Sequence, residues 1–275
     1  MAKILDGRIV QAEIKKTLMA ARRRLLFEPQ LVIIQVGARP ESNLYIERKQ
    51  KFGEEIGVKV TRARYAEKIT ETKLISAIKN FNADPTVQGI IVQLPLPRHL
   101  PPAPILNAVD LAKDVDGLAA GSNFQSATAR AVLTLLDYYN FPLAGRKVTV
   151  VGRSTLVGKP IALACLKVGA TVTIGHQQTK NLSMITKRAD ILIVATGAAG
   201  LITKNYVRPE QVVIDVGINV VDNQKQKRKI IGDVTFAEVA KIVRAISPVP
   251  GGVGPLTIAC LFENLLSTCT KNPAD

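Results

Sequence analysis

The sequence is poor in the residues on which many functions depend. In 275 residues it has no tryptophan, two histidines and three cysteines, and aromatic residues make up only 4%. Two histidines are too few for a histidine-based metal cluster. Cys165, Cys260 and Cys269 form no Cys-x-x-Cys pair and cannot all be joined in disulfides, so we expect no metal site and a reduced, cytoplasmic chain. So few aromatic residues also argue against stacking platforms for single-stranded nucleic acid.

Long apolar runs and acidic residues are scarce as well. No uninterrupted apolar run reaches the ~18 residues of a membrane span, and Asp6 stands where a signal peptide would be apolar. Lysine and arginine number 37 against 22 acidic residues, which gives a net charge of +15. That excess favours an anionic partner such as nucleic acid, a membrane surface or an acidic small molecule.

What the chain does contain is an alternation of strand-like and helix-like segments, with hydrophobic residues at 47%. Predicted strands cover residues 31–36, 58–65, 89–94, 147–151, 171–174, 191–194 and 212–216, and predicted helices cover 9–26, 42–56, 71–81, 128–139, 160–168 and 256–270. This alternation predicts an α/β protein with parallel sheets covered by helices, and the length suggests about two domains. A small, polar segment at 117–126 is the expected boundary.

A glycine-rich turn, residues 152–160, lies between a predicted strand and a predicted helix, where nucleotide-binding domains hold phosphate. It is not a Walker A loop, because Pro160 replaces the Ser or Thr that would hold magnesium, and Ser154 stands where a strict G-x-G-x-x-G has its second glycine. An ordinary tight turn is the alternative. The next strand ends before His176 with no acidic residue, and Arg153 lies in the turn. Both features suit a 2′-phosphate and hence NADP, although His176 could equally be a surface residue that caps a loop.

Three further features point to a ligand site. Tyr45 and Lys49 lie four residues apart on a predicted helix and share one face, and a partly desolvated lysine can transfer protons. Gln93 stands at the carboxyl end of a predicted strand, where open α/β sheets bind ligands. Asp114 and Asp116 follow shortly before the expected boundary. The alternatives are a decorated helix surface, a strand cap and a turn, respectively.

Near the end of the chain, residues 248–255 combine stiffening prolines with glycines that let the backbone approach a ligand closely, so we interpret them as a ligand-contacting loop. The basic run at 225–229 is interpreted as the solvated tip of a hairpin in preference to a nucleic-acid contact.

Taken in order, residues 42–49, 92–97, 113–117, 152–160, 215–219, 232–234 and 248–257 resemble the bifunctional methylenetetrahydrofolate dehydrogenase/cyclohydrolase family. The resemblance implies an N-terminal α/β catalytic domain (residues 1–120, completed by a C-terminal helix at about 255–275). It also implies a Rossmann-like, doubly wound NADP-binding domain (residues 121–254), with a cleft between the two. The implied reactions are NADP-dependent oxidation of 5,10-methylenetetrahydrofolate to the 5,10-methenyl form and its hydrolysis to 10-formyltetrahydrofolate, in one-carbon metabolism and purine biosynthesis.

The resemblance also assigns residues. It implies that Lys49 is the central catalytic residue of hydrolysis, that Gln93 tunes it, that Tyr45 stacks on the folate and that Asp116 holds the pterin. Further substrate contacts would be Leu94, Pro95, Pro250, Gly251, Gly252 and Thr257. Cofactor contacts would be Thr128, Gly152, Arg153, Ser154, Gly158, His176, Gly217 and Ile218.

One segment departs from the family pattern. Where the family has a Pro-Cys-Thr-Pro turn after a longer loop, this chain has residues 126–131, and only Thr128 is kept. This difference leaves open a cyclohydrolase-dominant relative with impaired cofactor binding, and the net charge leaves a remote alternative, a basic nucleic-acid-binding protein. We expect tetrahydrofolate derivatives, with or without a polyglutamate tail, as partners of a homodimer that binds neither nucleic acid nor membrane.

Overall fold

The computed structural model describes residues 1–222 and 228–270. The strands are β1 (Lys3–Ile4), β2 (Gln30–Val36), β3 (Lys59–Tyr65), β4 (Gly89–Val92), β5 (Lys147–Val151), β6 (Thr171–Gly175), β7 (Ile191–Val194), β8 (Val212–Asp215), β9 (Asn219–Asp222), β10 (Arg228–Ile231) and β11 (Ala245–Ile246). The helices are α1 (Gly7–Arg22), α2 (Pro40–Ile56), α3 (Glu71–Ala83), α4 (Pro102–Asn107), α5 (Ala127–Tyr138), α6 (Gly158–Lys167), α7 (Leu182–Arg188), α8 (Phe236–Val239) and α9 (Val253–Thr270).

The chain divides into two compact units. Met1–Ala12 and Thr128–Thr257 form one, which we call the six-stranded unit after its main sheet, and Glu13–Ala127 with Ile258–Asp275 form the other, the three-stranded unit. Both main sheets are parallel. Their central strands are almost wholly buried, as expected for parallel strands covered by helices on both faces. The α/β class predicted from the sequence is therefore confirmed.

The three-stranded sheet has the order β3–β2–β4. Ile33 on β2 lies in register with Ile91 on β4, and both belong to a core that α9 completes with the buried ring of Phe262. The centroid of that ring lies 5.3 Å from the ring centroid of Phe52 on α2. Helix α2 is thus fixed against the sheet along its inner face.

Local signals in the sequence end the helices that carry or flank the site. Helix α2 stops at Gly57, which has φ 76° and donates its N–H to the Glu54 carbonyl. Helix α3 is closed by a distant side chain: the Lys113 ammonium donates to the carbonyls of Phe81, Asn82 and Asp84 at 3.1, 2.7 and 2.6 Å. Lys113 thereby anchors the start of the segment that carries Asp116.

The six-stranded sheet has the order β1–β11–β8–β7–β5–β6. The chain leaves β5 for β6 on one side and returns to β7 on the other, so the strand order reverses beside β5. That reversal is the switch point at which doubly wound sheets bind dinucleotides. The edge strand β1 pairs with β11, a pairing that the sequence did not predict because two residues give no periodic signal.

Several predicted bounds were wrong by two to four residues, because helix ends follow capping more than hydrophobic periodicity. Helix α1 ends at Arg22 instead of residue 26, α6 begins at Gly158 instead of 160, and α9 begins at Val253 instead of 256. Residues 102–107, where no helix was predicted, form α4. Strands β9 and β10 do pair as an antiparallel hairpin, but residues 223–227, with most of the basic run, lie outside the described residues.

Helix α9 is long and apolar enough to cross a membrane by length and composition, although the sequence showed no uninterrupted apolar run of that length. Within the helix, the polar residues Glu263 and Asn264 interrupt the run of apolar residues. More than half of the helix is buried inside the protein, including Leu261 and Phe262. Since a buried core helix meets the same criteria, the feature is weak support for a membrane span.

Candidate active site

The centre of the three-stranded unit's site is a buried lysine. Lys49 on α2 is only 8% exposed, and its ammonium donates to Oε1 of Gln93 at 3.0 Å. Gln93 directly follows β4, and its backbone N–H extends the ladder to the Ile34 carbonyl. The Gln93 amide donates through Nε2 to the Leu94 carbonyl at 2.8 Å, which turns its oxygen towards the lysine. The two predicted residues are therefore brought into direct contact.

Burial and the charge of Asp116 have opposite effects on the pKa of Lys49. Burial lowers the pKa of Lys49, and the negative charge of Asp116 partly opposes that change. Burial likewise raises the pKa of Asp116, while Lys49 lowers it and Asp114 adds to the rise. A lowered lysine pKa makes the neutral amine accessible, and a neutral amine can accept a proton.

The two aspartates of the segment have different places. Asp114 is buried and accepts the N–H of Ala119 at 2.9 Å, so its carboxylate organises the loop that follows, and burial raises its pKa. Asp116 is half-buried, interacts electrostatically with Lys49 and accepts the N–H of Ala127 through its carbonyl at 3.0 Å. Asp116 is thus the member of the pair that belongs to the site.

Tyr45 lies one turn before Lys49 on α2, so the two residues share one helix face, as their spacing predicted. Tyr45 is half-buried. Burial raises the pKa of its hydroxyl. The Arg48 guanidinium carbon lies 6.0 Å from the centroid of the Tyr45 ring. The phenol is therefore neutral at ordinary pH.

The sequence reasoning missed a polar cluster at the carboxyl end of β2. Gln35 is 1% exposed in a strand that is otherwise apolar, and it accepts the Nε–H of Arg62 at 2.6 Å. Arg62 and Gln35 both donate to Oδ1 of Asn43, on the first turns of α2, at 2.6 and 2.9 Å. The single glutamine in the run 31–36 was the available signal, since a buried polar side chain needs partners.

In the six-stranded unit, the glycine-rich turn between β5 and α6 has the geometry of a phosphate cradle. Gly152 has φ 126°, and a Cβ on it would overlap the Ala195 carbonyl, while a Cβ on Gly158 would overlap the Gly152 carbonyl. Ser154 accepts the N–H of Gly158 through its hydroxyl at 3.2 Å, which tightens the turn. Backbone this close-packed, opening into the N-terminus of a ten-residue helix, fits a dinucleotide phosphate.

The predicted 2′-phosphate residues lie at the ends of neighbouring strands. Arg153 follows β5 and donates to Oε1 of Gln178 at 3.3 Å. His176 follows β6, and its Nδ1 accepts the N–H of Gln178 at 3.2 Å. The shared contact with Gln178 brings the guanidinium and the imidazole together. The histidine also caps its loop, so both interpretations of His176 made from the sequence remain compatible with its position.

The loop after β8 is organised by two buried carboxylates. Gly217 donates its N–H to Asp215 at 2.9 Å, and a Cβ on Gly217 would overlap the carboxylate of Asp233. Ile218 follows with an exposed side chain. From the sequence, Asp215 and Asp233 were recognised only as parts of the segments that resemble the family, and neither was predicted to have a role.

The remaining predicted residues lie in two loops and on α9. Leu94 and Pro95 follow Gln93 and are joined by a cis peptide bond, as are Val249 and Pro250. Gly252 donates to the Pro248 carbonyl at 2.7 Å, and Gly251 accepts the N–H of Gly7 at 2.8 Å. Thr257 lies on α9, with its hydroxyl bonded to the Val253 carbonyl.

The altered segment 126–131 forms the start of α5, where Thr128 is half-buried. The hydroxyl of Ser126 is buried without a hydrogen-bond partner. Among the residues that the structure describes, no group of three His, Cys, Asp or Glu side chains could hold a metal ion.

A doubly wound sheet with a glycine-rich turn after β5, in one chain with a second α/β unit that buries a lysine–amide pair, is typical of a nucleotide-dependent enzyme. Residues 5–116 match the catalytic domain of the tetrahydrofolate dehydrogenase/cyclohydrolase family, and residues 126–273 match its NAD(P)-binding domain. The chain belongs to this family. It is a methylenetetrahydrofolate dehydrogenase and methenyltetrahydrofolate cyclohydrolase, an oxidoreductase and hydrolase of one-carbon metabolism.

Relatives of known name agree with this assignment. The bifunctional protein FolD of Exiguobacterium sibiricum is 42% identical over 97% of this chain and 99% of its own. The crystal structure of bifunctional FolD from Campylobacter jejuni is 39% identical, covers 98% and 99% of the two chains and has a TM-score of 0.92. FolD of Trypanosoma brucei, solved with NADP and an inhibitor, is 30% identical, covers 98% and 97% and also has a TM-score of 0.92.

Proposed function

We propose that Lys49 carries the hydrolytic step and that Gln93, Tyr45 and Asp116 support it. The observation on which this rests is the buried ammonium of Lys49, 3.0 Å from the Gln93 amide oxygen and opposed by the charge of Asp116. Such an amine is held in one orientation, and its lowered pKa makes the neutral form accessible. A solvated surface lysine is not held in one orientation, and its pKa is not lowered by burial.

Hydrolysis of the cationic methenyl substrate removes both protons from one water molecule. Water forms a C–O bond to the one-carbon unit and loses its first proton; the bond from that carbon to N5 then breaks as the hydroxyl loses its second proton and becomes the formyl carbonyl. One of the two protons is delivered to N5, and the other is released to solvent. Lys49 in its neutral form can accept the proton from water and return it to the leaving nitrogen. The ring of Tyr45 would stack on the folate, Asp116 would accept hydrogen bonds from the pterin, and the backbone at Leu94 and Pro95 would border it.

For the oxidation, bound NADP would supply the hydride acceptor. The turn at Gly152, Ser154 and Gly158 would hold its phosphates, and Arg153 with His176 would bind the 2′-phosphate, since no carboxylate ends β6 to receive a free ribose hydroxyl. The nicotinamide would lie against Gly217 and Ile218, with Thr128 beside the cofactor. Residues 250–252 and Thr257 would contact the folate.

The deciding experiment is Lys49→Ala, with Lys51→Ala, an exposed lysine of the same helix, as the matched control. We expect methenyl hydrolysis to be lost with the fold intact by circular dichroism, while Lys51→Ala hydrolyses normally. Unchanged hydrolysis in Lys49→Ala would refute the assignment. Measuring NADP-dependent methenyl formation in the unaltered protein tests the cyclohydrolase-dominant alternative, which robust dehydrogenase turnover would exclude.

The finer organisation is also proposed. Cys165, Cys260 and Cys269 form no disulfide, and two of them are buried, which supports a reducing, cytoplasmic location. We infer a homodimer, which light scattering of the purified protein tests. From the resemblance we also infer a catalytic domain over residues 1–120, completed at about 255–275, and an NADP-binding domain over 121–254, although Met1–Ala12 fold with the six-stranded unit. Limited proteolysis tests the domain limits, since cleavage concentrates at exposed boundaries.

A further inference from the structure

Two carboxylates lie buried side by side at the carboxyl end of the six-stranded sheet. Asp215, the last residue of β8, is 3% exposed, and Asp233 is fully buried. The side chains of both residues accept hydrogen bonds from N–H and O–H groups around them. Asp215 accepts the N–H groups of Gly217, Asp233 and Val234 at 2.9, 3.1 and 2.9 Å. The surrounding N–H groups therefore solvate the negative form of the Asp215 side chain. Burial, together with the neighbouring charge of Asp233, nevertheless raises the pKa of Asp215 to about 7, so Asp215 is largely negative only above that pH.

The Asp233 carboxylate also accepts several hydrogen bonds, most of them from the loop that follows β7. Its Oδ2 accepts the N–H and hydroxyl of Thr196 at 2.6 and 2.8 Å and the N–H of Gly197 at 2.9 Å, and its Oδ1 accepts the Asn219 amide at 2.8 Å. Among the described residues, no lysine or arginine forms an ion pair with either carboxylate. The pair thus holds the loops after β7 and β8 together and leaves its negative charge without a described counter-ion.

The topology shows what this charge faces. With the switch point between β5 and β7, the phosphate turn after β5 lies at the centre and the Arg153–His176 cluster lies on the β6 side. A dinucleotide bound across the switch point directs its other half, the nicotinamide, towards the ends of β7 and β8. Those ends are the loops that Asp233 and Asp215 hold, and the Gly217 backbone touches the Asp233 carboxylate.

We propose that Asp215 and Asp233 are positioning residues whose uncompensated negative charge makes the site bind the cationic nicotinamide of NADP⁺ more tightly than the neutral ring of NADPH. The inference rests on the proposed nucleotide site. The two forms differ by the hydride at C4 of the nicotinamide, which removes the positive charge of the ring, and they are identical in the rest of the molecule. Fixed negative charge in a poorly solvated place stabilises the cationic nicotinamide ring of NADP⁺. The site thereby favours binding of the oxidised cofactor, which is the form needed to oxidise the substrate.

The test compares Asp215→Asn and Asp233→Asn with Asp190→Asn, a matched control. Asp190 precedes β7, at the opposite end of the sheet, and pairs with Arg208 at 3.3 Å. Isothermal titration at pH 8 gives dissociation constants for NADP⁺ and NADPH. We expect the preference for NADP⁺ to fall about tenfold in each of the first two variants, equivalent to about 1.4 kcal/mol, and to stay unchanged in the control.

Because the preference is a ratio, a general loosening of the fold cancels from it. Equal weakening of both nucleotides would show that the carboxylates are only structural and would overturn the proposal. The wild-type protein provides a second test, independent of whether the variants fold: tenfold tighter binding of NADPH than of NADP⁺ would also overturn it. Binding of neither nucleotide to the wild type would instead refute the proposed nucleotide site, and this inference with it.

Discussion

Replacing Gln93 with leucine tests how far the lysine depends on its amide partner. The substitution keeps the size of the side chain and removes the acceptor 3.0 Å from the Lys49 ammonium. Hydrogen bonds to charged groups are worth about 1.5–3 kcal/mol, and water cannot readily replace this one because Lys49 is almost fully buried. At about 1.4 kcal/mol for each factor of ten, hydrolysis should slow about 10- to 150-fold.

The assay follows the loss of methenyl absorbance, with NADP reduction by the methylene substrate measured in parallel. Gln88→Leu is the matched control. Gln88 stands at the amino end of the same strand, where its Oε1 accepts the N–H of Gln30 at 2.8 Å, so it stabilises the sheet away from the site. Hydrolysis within twofold of wild type in Gln93→Leu, or an equal loss in Gln88→Leu, would refute the reasoning.

Introducing a charge at position 93 distinguishes an effect of Gln93 on the pKa of Lys49 from a purely structural role. In Gln93→Glu, a carboxylate next to Lys49 would favour the ammonium and raise the lysine pKa, so the rise of hydrolysis with pH should shift to higher pH. A purely structural role for Gln93 would lower the rate without moving the profile.

Three more substitutions give independent results. Asp116→Asn removes the charge that opposes burial, so the pKa of Lys49 should fall further and the pH profile of hydrolysis should move to lower pH; an unmoved profile would contradict the coupling. Arg153→Ala should lower kcat/KM for NADP about tenfold and leave NAD within twofold, because a charge-assisted contact to the 2′-phosphate is lost; equal effects on both would contradict it. Phe262→Ala should cost about 3–5 kcal/mol in the free energy of unfolding, measured with urea, since the ring is buried against Phe52.

Much of the fold was predictable because strongly apolar strands alternate with amphipathic helices. The run 31–36 and the helix from 42 to 56 both correspond to elements of the structure, and Gly57 ends that helix through its left-handed backbone. Short pieces were not predictable. The pairing of β1 with β11 joins residues some 240 positions apart, and two residues carry no periodicity.

The site was predictable in identity but not in its electrostatics. The spacing of Tyr45 and Lys49 showed that they share a helix face, yet a decorated surface remained open until burial was known. Likewise, the sequence could not separate Asp114 from Asp116, because only the fold turns one carboxylate into its own loop and leaves the other near Lys49. Burial and long-range contacts decide pKa values, and neither can be read from spacing.

The residues proposed for hydrolysis and those proposed for cofactor binding are held in place by different units of the fold. This separation determines how the activities of variants can be interpreted. Lys49, Gln93 and Asp116 are fixed by the three-stranded sheet and its helices, whereas Arg153 and Asp233 are fixed by loops of the six-stranded sheet. The first set also contains a buried ionisable group, Lys49, whose burial reduces stability while making its chemistry possible. A substitution that frees such a group of its charge should therefore impair one activity while stabilising the fold. Loss of activity together with increased stability would identify a functional residue more clearly than loss of activity alone.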